Sequence, residues 1–197
     1  MVNNAGVVQG KSFMDSNENF ISKTMVINAE SHFWLIKDVI GPMMRKNSGH
    51  IVSIASIAGI AGTAGMTDYC ASKFAAYGLN EALRVEMKLL KKNINFTTIC
   101  PFYFNSGMFE GAKCSLIFPL LDARYVARRT MNAILQNEGE VTIPWLMGVL
   151  AHLGKGILPS PAQDFLAYIV LGYESIIGNY KGHQGQKNPL TYIANKE

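Results

Sequence analysis

The sequence predicts an α/β fold, a doubly wound parallel sheet with a helical extension at its carboxyl end. Three observations carry that prediction. The runs 50–56 and 94–100 are short, apolar and rich in β-branched residues, as strands covered on both faces are. Longer segments of helical period, 16–46 and 67–92, alternate with them. Beyond Trp145 the chain turns into two apolar helical segments.

Taken in order, Met1 and Val2 read as the end of a strand, followed by Asn3-Asn4-Ala5-Gly6. The unit 16–46 shows an apolar face through Ile27, Trp34, Ile36 and Val39, and Pro42 with Ser48-Gly49 is expected to end it. Strand 50–56 closes on Ser56, at the carboxyl end where open α/β sheets hold their ligands, and Ser53 is the weaker of its two serines as a catalytic candidate. Gly59, Gly62 and Gly65, interleaved with alanines, form a small-residue loop and lack the basic partner of a phosphate cradle. Thr67 is expected to cap the next helix, with Phe74, Leu79, Leu83 and Met87 on its buried side. Pro101 ends strand 94–100. Asp122 should cap a helix that Gly139 stops, and 140–143 is the last strand.

The chemistry centres on Tyr69-Cys70-Ala71-Ser72-Lys73. Four residues make just over one helical turn, so the phenol and the ammonium project from one face. A cation there is expected to favour the phenolate and lower its pKa towards neutrality. Tyr192 and Lys196 share the spacing but lack the company: Ser56 thirteen residues upstream of Tyr69, Asn28 on the preceding helix, and Asn3 to Gly6.

In this order and spacing these residues resemble the short-chain dehydrogenase/reductase family over nearly the whole chain. The resemblance implies a partial Rossmann-type sheet lacking its first strands. It also implies a nicotinamide cofactor, NAD or NADP. Tyr69 would be the proton donor and acceptor, Lys73 would lower its pKa and hold the nicotinamide ribose, Ser56 would steady the substrate oxygen, and Asn28 would complete a proton relay. Asn4, Ala5 and Gly6, with Pro101 and Ser106, would meet the cofactor, and Phe102, where the family commonly has glycine, would narrow the substrate mouth. Cys100-Pro101-Phe102 and Ser106 to Gly111 are similar to the retinol and hydroxysteroid dehydrogenase branch, which implies a lipid alcohol as substrate. The glycine-rich turn that binds the pyrophosphate has no counterpart here, so weak cofactor binding is the expectation. A catalytically inactive relative acting at a lipid surface is the alternative.

Composition narrows the classes. The chain has 197 residues, enough for one domain with a real core, and its net charge of +4 is spread rather than striped, which argues against nucleic acid. A hydrophobic content of 49% with only 16% charged residues favours contact with lipid or a partner. Cys70, Cys100 and Cys114 fit a reducing, cytosol-facing setting, and His32, His50, His152 and His183 are too dispersed for a metal site.

Residues 1–144 are thus expected to form the catalytic domain and 183–197 a polar tail. Residues 145–182 should be a lid or interfacial hairpin rimmed by Trp145, Lys155, Tyr168, Tyr173 and Lys181, its segments too short to span a bilayer. The resemblance implies an endoplasmic reticulum or lipid-droplet surface, otherwise the cytoplasm. It also implies a homodimer through the helices carrying Asn28 and Tyr69.

Overall fold

The structure is a computed structural model describing residues 1–109 and 118–171. Cys114, Glu110, Gly111, Tyr173, Lys181, His183 and the tail lie outside the described residues, as does the side chain of Tyr168. Four strands, β1 (Val2–Asn3), β2 (Gly49–Ile54), β3 (Ile94–Pro101) and β4 (Glu140–Ile143), form one parallel sheet in that order. Val2 pairs with Val52, Ile51 with Phe96 and Cys100 with Thr142. The expected α/β parallel architecture is therefore present.

Alternation along the strands supplies two cores. Ile51 and Phe96 pack with Ile36 and Met87 on one face, whereas Val52, Ile99 and Val141 pack with Val126 and Ala133 on the other. The first face is covered by α2 (Ser31–Lys46) and α3 (Thr67–Leu89), the second by α4 (Ala123–Leu135). Ser53 lies inside the sheet and donates to Asn80 Oδ1 at 3.2 Å, while Asn80 Nδ2 donates to Thr98 at 2.7 Å. That bridge fixes α3 over β2 and β3.

Several local expectations change. The unit 16–46 is helical as α1 (Glu18–Met25) and α2, joined by one π-helical stretch, Val26–Glu30. Pro42 does not end it. It sits on the exposed side, where water can satisfy the carbonyl whose partner it removes, and the helix runs on to a left-handed Asn47. Trp34 is 57% exposed, alongside exposed Phe33 and Leu35, because the buried face is set by Asn28, His32 and Ile36. Thr67 is the first residue of α3 rather than its cap, which falls on Met66 without a side-chain bond. Phe74 is exposed beneath Lys155, since the inward face of α3 is taken by Tyr69, Ser72, Lys73, Ala76 and Asn80. Asp122 does cap α4, accepting from the Tyr125 amide at 2.8 Å, but the helix ends on Gln136 and a left-handed Asn137, ahead of Gly139.

Two shorter helices complete the described chain, α5 (Trp145–Ile157) and α6 (Ser160–Leu171). Among the described residues no helix is long and apolar enough to cross a membrane.

Candidate active site

The carboxyl ends of β1, β2 and β3 open into a cavity of about 500 Å³, within the usual range for small-molecule sites. Asn4, Ala5 and Gly6 line one side, Ser56, Tyr69 and Lys73 the centre, and Pro101, Phe102 and Ser106 the other. The structure thus brings together around one cavity nearly every residue singled out from the sequence. Asn28 alone stands behind it.

Each side chain has a local reason for its place. Ser56 lies two residues beyond the end of β2, which stops short of the expected 56, in an extended conformation that caps the 3₁₀ turn Ile57–Gly59, accepting from the Ala58 amide at 3.1 Å and donating to the Pro101 carbonyl at 3.4 Å. Its hydroxyl also bonds the Tyr69 phenol. Tyr69 and Lys73 leave α3 one turn apart, both buried, with the Lys73 nitrogen 5.6 Å from the centre of the Tyr69 ring. Lys73 donates one of its three protons to the Ile54 carbonyl at 2.8 Å, which leaves two for a ligand in the cavity.

The electrostatics depart from the expectation drawn from the Tyr–Lys spacing. Burial pushes the Tyr69 phenol well above its ordinary range, and the Ser56 hydrogen bond only partly offsets this. Burial also brings Lys73 down to about 8. The ammonium is itself desolvated and directed at Ile54, so it does not by itself make Tyr69 a phenolate.

Asn28 sits within the π-helical stretch, a deviation frequent at functional sites. Its amide is fully engaged: Oδ1 accepts from the Val7 amide at 2.8 Å, and Nδ2 donates to the Val7 carbonyl at 2.9 Å and to Ser72 Oγ at 3.0 Å. A Cβ placed on Gly6 would lie 3.5 Å from both Asn28 Oδ1 and Lys73 Nζ. Asn28 therefore clamps the turn that carries Gly6 against the lysine.

Sequence reasoning missed the apolar half of the cavity, supplied by Met66, Tyr103, Met108 and Phe109. Tyr103 and Phe109 meet edge to face at 4.9 Å, and Phe102 packs on Tyr103 at 4.8 Å. The run Phe102-Tyr103-Phe104 was the available signal. Also missed was His32, one turn beyond Asn28, buried with both ring nitrogens lacking a described partner. Desolvation first, then the charge of Lys73, lower its pKa to about 4.

His32 makes a stability prediction. With an unfolded value near 6.5 and a folded value near 4, the unfolded chain takes up the proton first, so stability falls as the pH drops through that window. The loss should be roughly 2–3 kcal/mol by pH 4. Denaturant melts at pH 7 and 4 should show that loss in the wild type in excess of any in His32→Leu; equal acid sensitivity in the two would remove His32 as its source.

Comparison with known proteins follows the same lines. The short chain dehydrogenase family profile matches residues 1–114. The chain is 44% identical over 172 residues to short-chain dehydrogenase/reductase family 16C member 6 of Bos taurus, covering 86% of this chain and 54% of that protein. It is 36% identical over 190 residues to epidermal retinol dehydrogenase 2 of Mus musculus, covering 95% and 60%. It is 40% identical over 167 residues to retinol dehydrogenase 10-B of Danio rerio, covering 82% and 49%. The chain thus spans about half to three fifths of these relatives. A short chain dehydrogenase/reductase from Burkholderia phymatum, solved in complex with NAD, shares the fold with a TM-score of 0.66 at 21% identity, covering 78% of this chain and 64% of that one. A bulky-bulky ketone specific alcohol dehydrogenase from Comamonas testosteroni gives 0.63 at 23%, covering 73% and 53%.

Proposed function

Since the chain belongs to the short-chain dehydrogenase/reductase family, we propose that its cavity interconverts a lipid alcohol and its carbonyl with a nicotinamide cofactor, NAD or NADP, and that oxidation of retinol to retinal is its reaction. The observation that carries this reading is the meeting of Ser56, Tyr69 and Lys73 in a cavity whose lining is otherwise largely aromatic and apolar. The relatives named for retinol supply the substrate class.

The residues present fit the nicotinamide and ribose end of such a cofactor. Lys73 has two protons free for ribose hydroxyls, and the small side of Asn4, Ala5 and Gly6 leaves room for a flat ring. When bound, the nicotinamide supplies the hydride acceptor for oxidation and the hydride donor for reduction. Tyr69 takes the hydroxyl proton in oxidation and returns it in reduction. Ser56, bonded to the same phenol, holds the substrate oxygen beside it. Lys73, kept in register by Asn28 through Gly6, orients the ribose.

The raised phenol sets the pH dependence. Neutral Tyr69 is the acid needed for reduction and is fully available at pH 7, whereas oxidation needs its conjugate base. Oxidation of retinol should therefore accelerate by up to about tenfold per pH unit between pH 7 and 9, while reduction of retinal stays level. Initial rates across that range test the proposal, and Tyr69-independent turnover, or none with any long-chain or polyene alcohol, would refute it.

The setting follows from α5. Trp145, Val149, Leu153 and Ile157 recur every four residues and are all exposed, an apolar stripe along the outer side of the helix. We place this stripe on a lipid surface, facing the cytosol at the endoplasmic reticulum or a lipid droplet. It also favours the second reading, a lipid-surface protein without catalysis. The paired substitution Val149→Glu and Leu153→Glu should lower partition onto phosphatidylcholine vesicles at least tenfold, with Tyr69→Phe neutral. Unchanged flotation of the double variant would reject this surface. Phe33, Trp34 and Leu35 on α2 and Leu89 on α3 are exposed as well, on the helices through which we propose that two copies pair.

A further inference from the structure

A second, half-open chamber of about 340 Å³ lies between α5, α6 and the loop that follows Ser56. Met147, Leu150 and Ala151 of α5, Leu166 and Ala167 of α6, and Ile57 give it an apolar lining. Its polar groups are Lys155, Gln163 and Asp164. Lys155 holds its ammonium 4.3 Å from the centre of the Phe74 ring on α3, and Gln163 donates to the Leu158 carbonyl at 2.7 Å.

Ile57 is the one described residue that lines both this chamber and the catalytic cavity. It directly follows Ser56, whose hydroxyl bonds the Tyr69 phenol. Ile57 is therefore the border that the two volumes share among the described residues. The chamber also lies under α5, whose opposite side carries the exposed stripe of Trp145, Val149, Leu153 and Ile157.

We infer that this chamber receives the distal apolar chain of a long lipid alcohol whose hydroxyl lies between Ser56 and Tyr69, with the side chain of Ile57 as the partition that the chain must pass. The inference rests on the reading of the site given above and adds to it a selection for chain length. Alcohols short enough to stay in the first cavity gain nothing from the chamber. Longer ones bury apolar surface in it, and binding should strengthen with each methylene that passes Ile57.

The chamber can be filled without disturbing the cavity. A Cβ on Gly62 meets no described atom within 4 Å, and the residue is not among the glycines with positive φ, so Gly62→Leu adds an apolar side chain to the chamber's lining. Ala151→Leu fills from the opposite wall. Neither position lines the catalytic cavity.

The test measures binding directly, with fluorescent parinaryl alcohol, an eighteen-carbon polyene alcohol, as the probe and 1-hexanol as the short competitor. Gly62→Leu and Ala151→Leu should each weaken parinaryl alcohol at least tenfold and leave the inhibition constant of 1-hexanol within twofold. The stripe variant Val149→Glu with Leu153→Glu should leave both unchanged, which separates the chamber from adsorption to the surface. Wild-type affinity for the long alcohol in either filled variant, with a normal thermal melt, overturns the inference. Chain-length selection without any Tyr69-dependent turnover would keep the chamber and reject the catalytic reading; Tyr69-dependent turnover with no dependence on Gly62 or Ala151 would do the reverse.

Discussion

Tyr69→Phe is expected to lower kcat for alcohol oxidation about 10³-fold, roughly 4 kcal/mol of transition-state stabilisation, with little change in KM. In the proposed reaction the phenol, in the cavity with Ser56, exchanges the proton with the substrate oxygen. Removing it leaves the proposed nicotinamide contacts in place and the proton without a carrier. The substitution should not unfold the chain. Tyr69 is buried among Ala55, Met66 and Phe109, and a phenyl ring fills the same volume, keeping the edge contact with Phe109 at 6.1 Å between centres. Ser56→Ala should cost less, about 10²-fold, because the phenol remains and only the alignment of the oxygen is lost. Rates for Tyr69→Phe within tenfold of the wild type, at an unchanged melting temperature, would mean that another group moves the proton.

Gly59→Ala is expected to destabilise the fold by about 3 kcal/mol, the upper part of the range for overpacking a dense interior. A Cβ there would stand 2.6 Å from the Lys73 carbonyl oxygen and 2.9 Å from its carbon. Both are backbone atoms of α3, so no side chain can rotate away and the helix itself must retreat from the 3₁₀ turn. For a chain of this size the melting temperature should fall by about 6–12 °C. The same displacement moves Lys73 away from Ile54, so activity should fall more than the melt alone accounts for. Gly62→Ala, where a Cβ meets nothing within 4 Å, is the matched control. Equal melting temperatures for the two alanine variants would show that α3 does not depend on this approach.

These two predictions divide the molecule in an instructive way. Tyr69 could be named from its spacing to Lys73, which a helical repeat of 3.6 residues puts on the same face, together with Ser56, Asn28 and Asn3 to Gly6 in the order the family resemblance needs. Gly59 could not, since its importance comes from how closely the turn after β2 approaches the backbone of α3. The strands 50–56 and 94–100 were legible for a similar reason: unbroken apolar, β-branched runs leave few alternatives to a strand covered on both sides. Trp34 and Phe74 were not. A helix with apolar residues on several faces does not reveal which face meets the sheet, and α2 with the π-helical stretch before it, like α3, turns polar residues inward: Asn28 and His32 in the first, Ser72 and Asn80 in the second.

The sequence by itself determined the α/β class and the order of strands and helices, because these follow from local periodicity, while the family resemblance of its motifs implied the residues that meet at the carboxyl ends of the strands. Tertiary structure decided the charge states and the clamps. Burial raises Tyr69 and lowers Lys73 against the expectation from their adjacency, and Asn28 spends its amide on Val7 and Ser72. Desolvation and hydrogen-bond partnership depend on what distant segments bring to a point in space, and neither is encoded in the spacing of a pair.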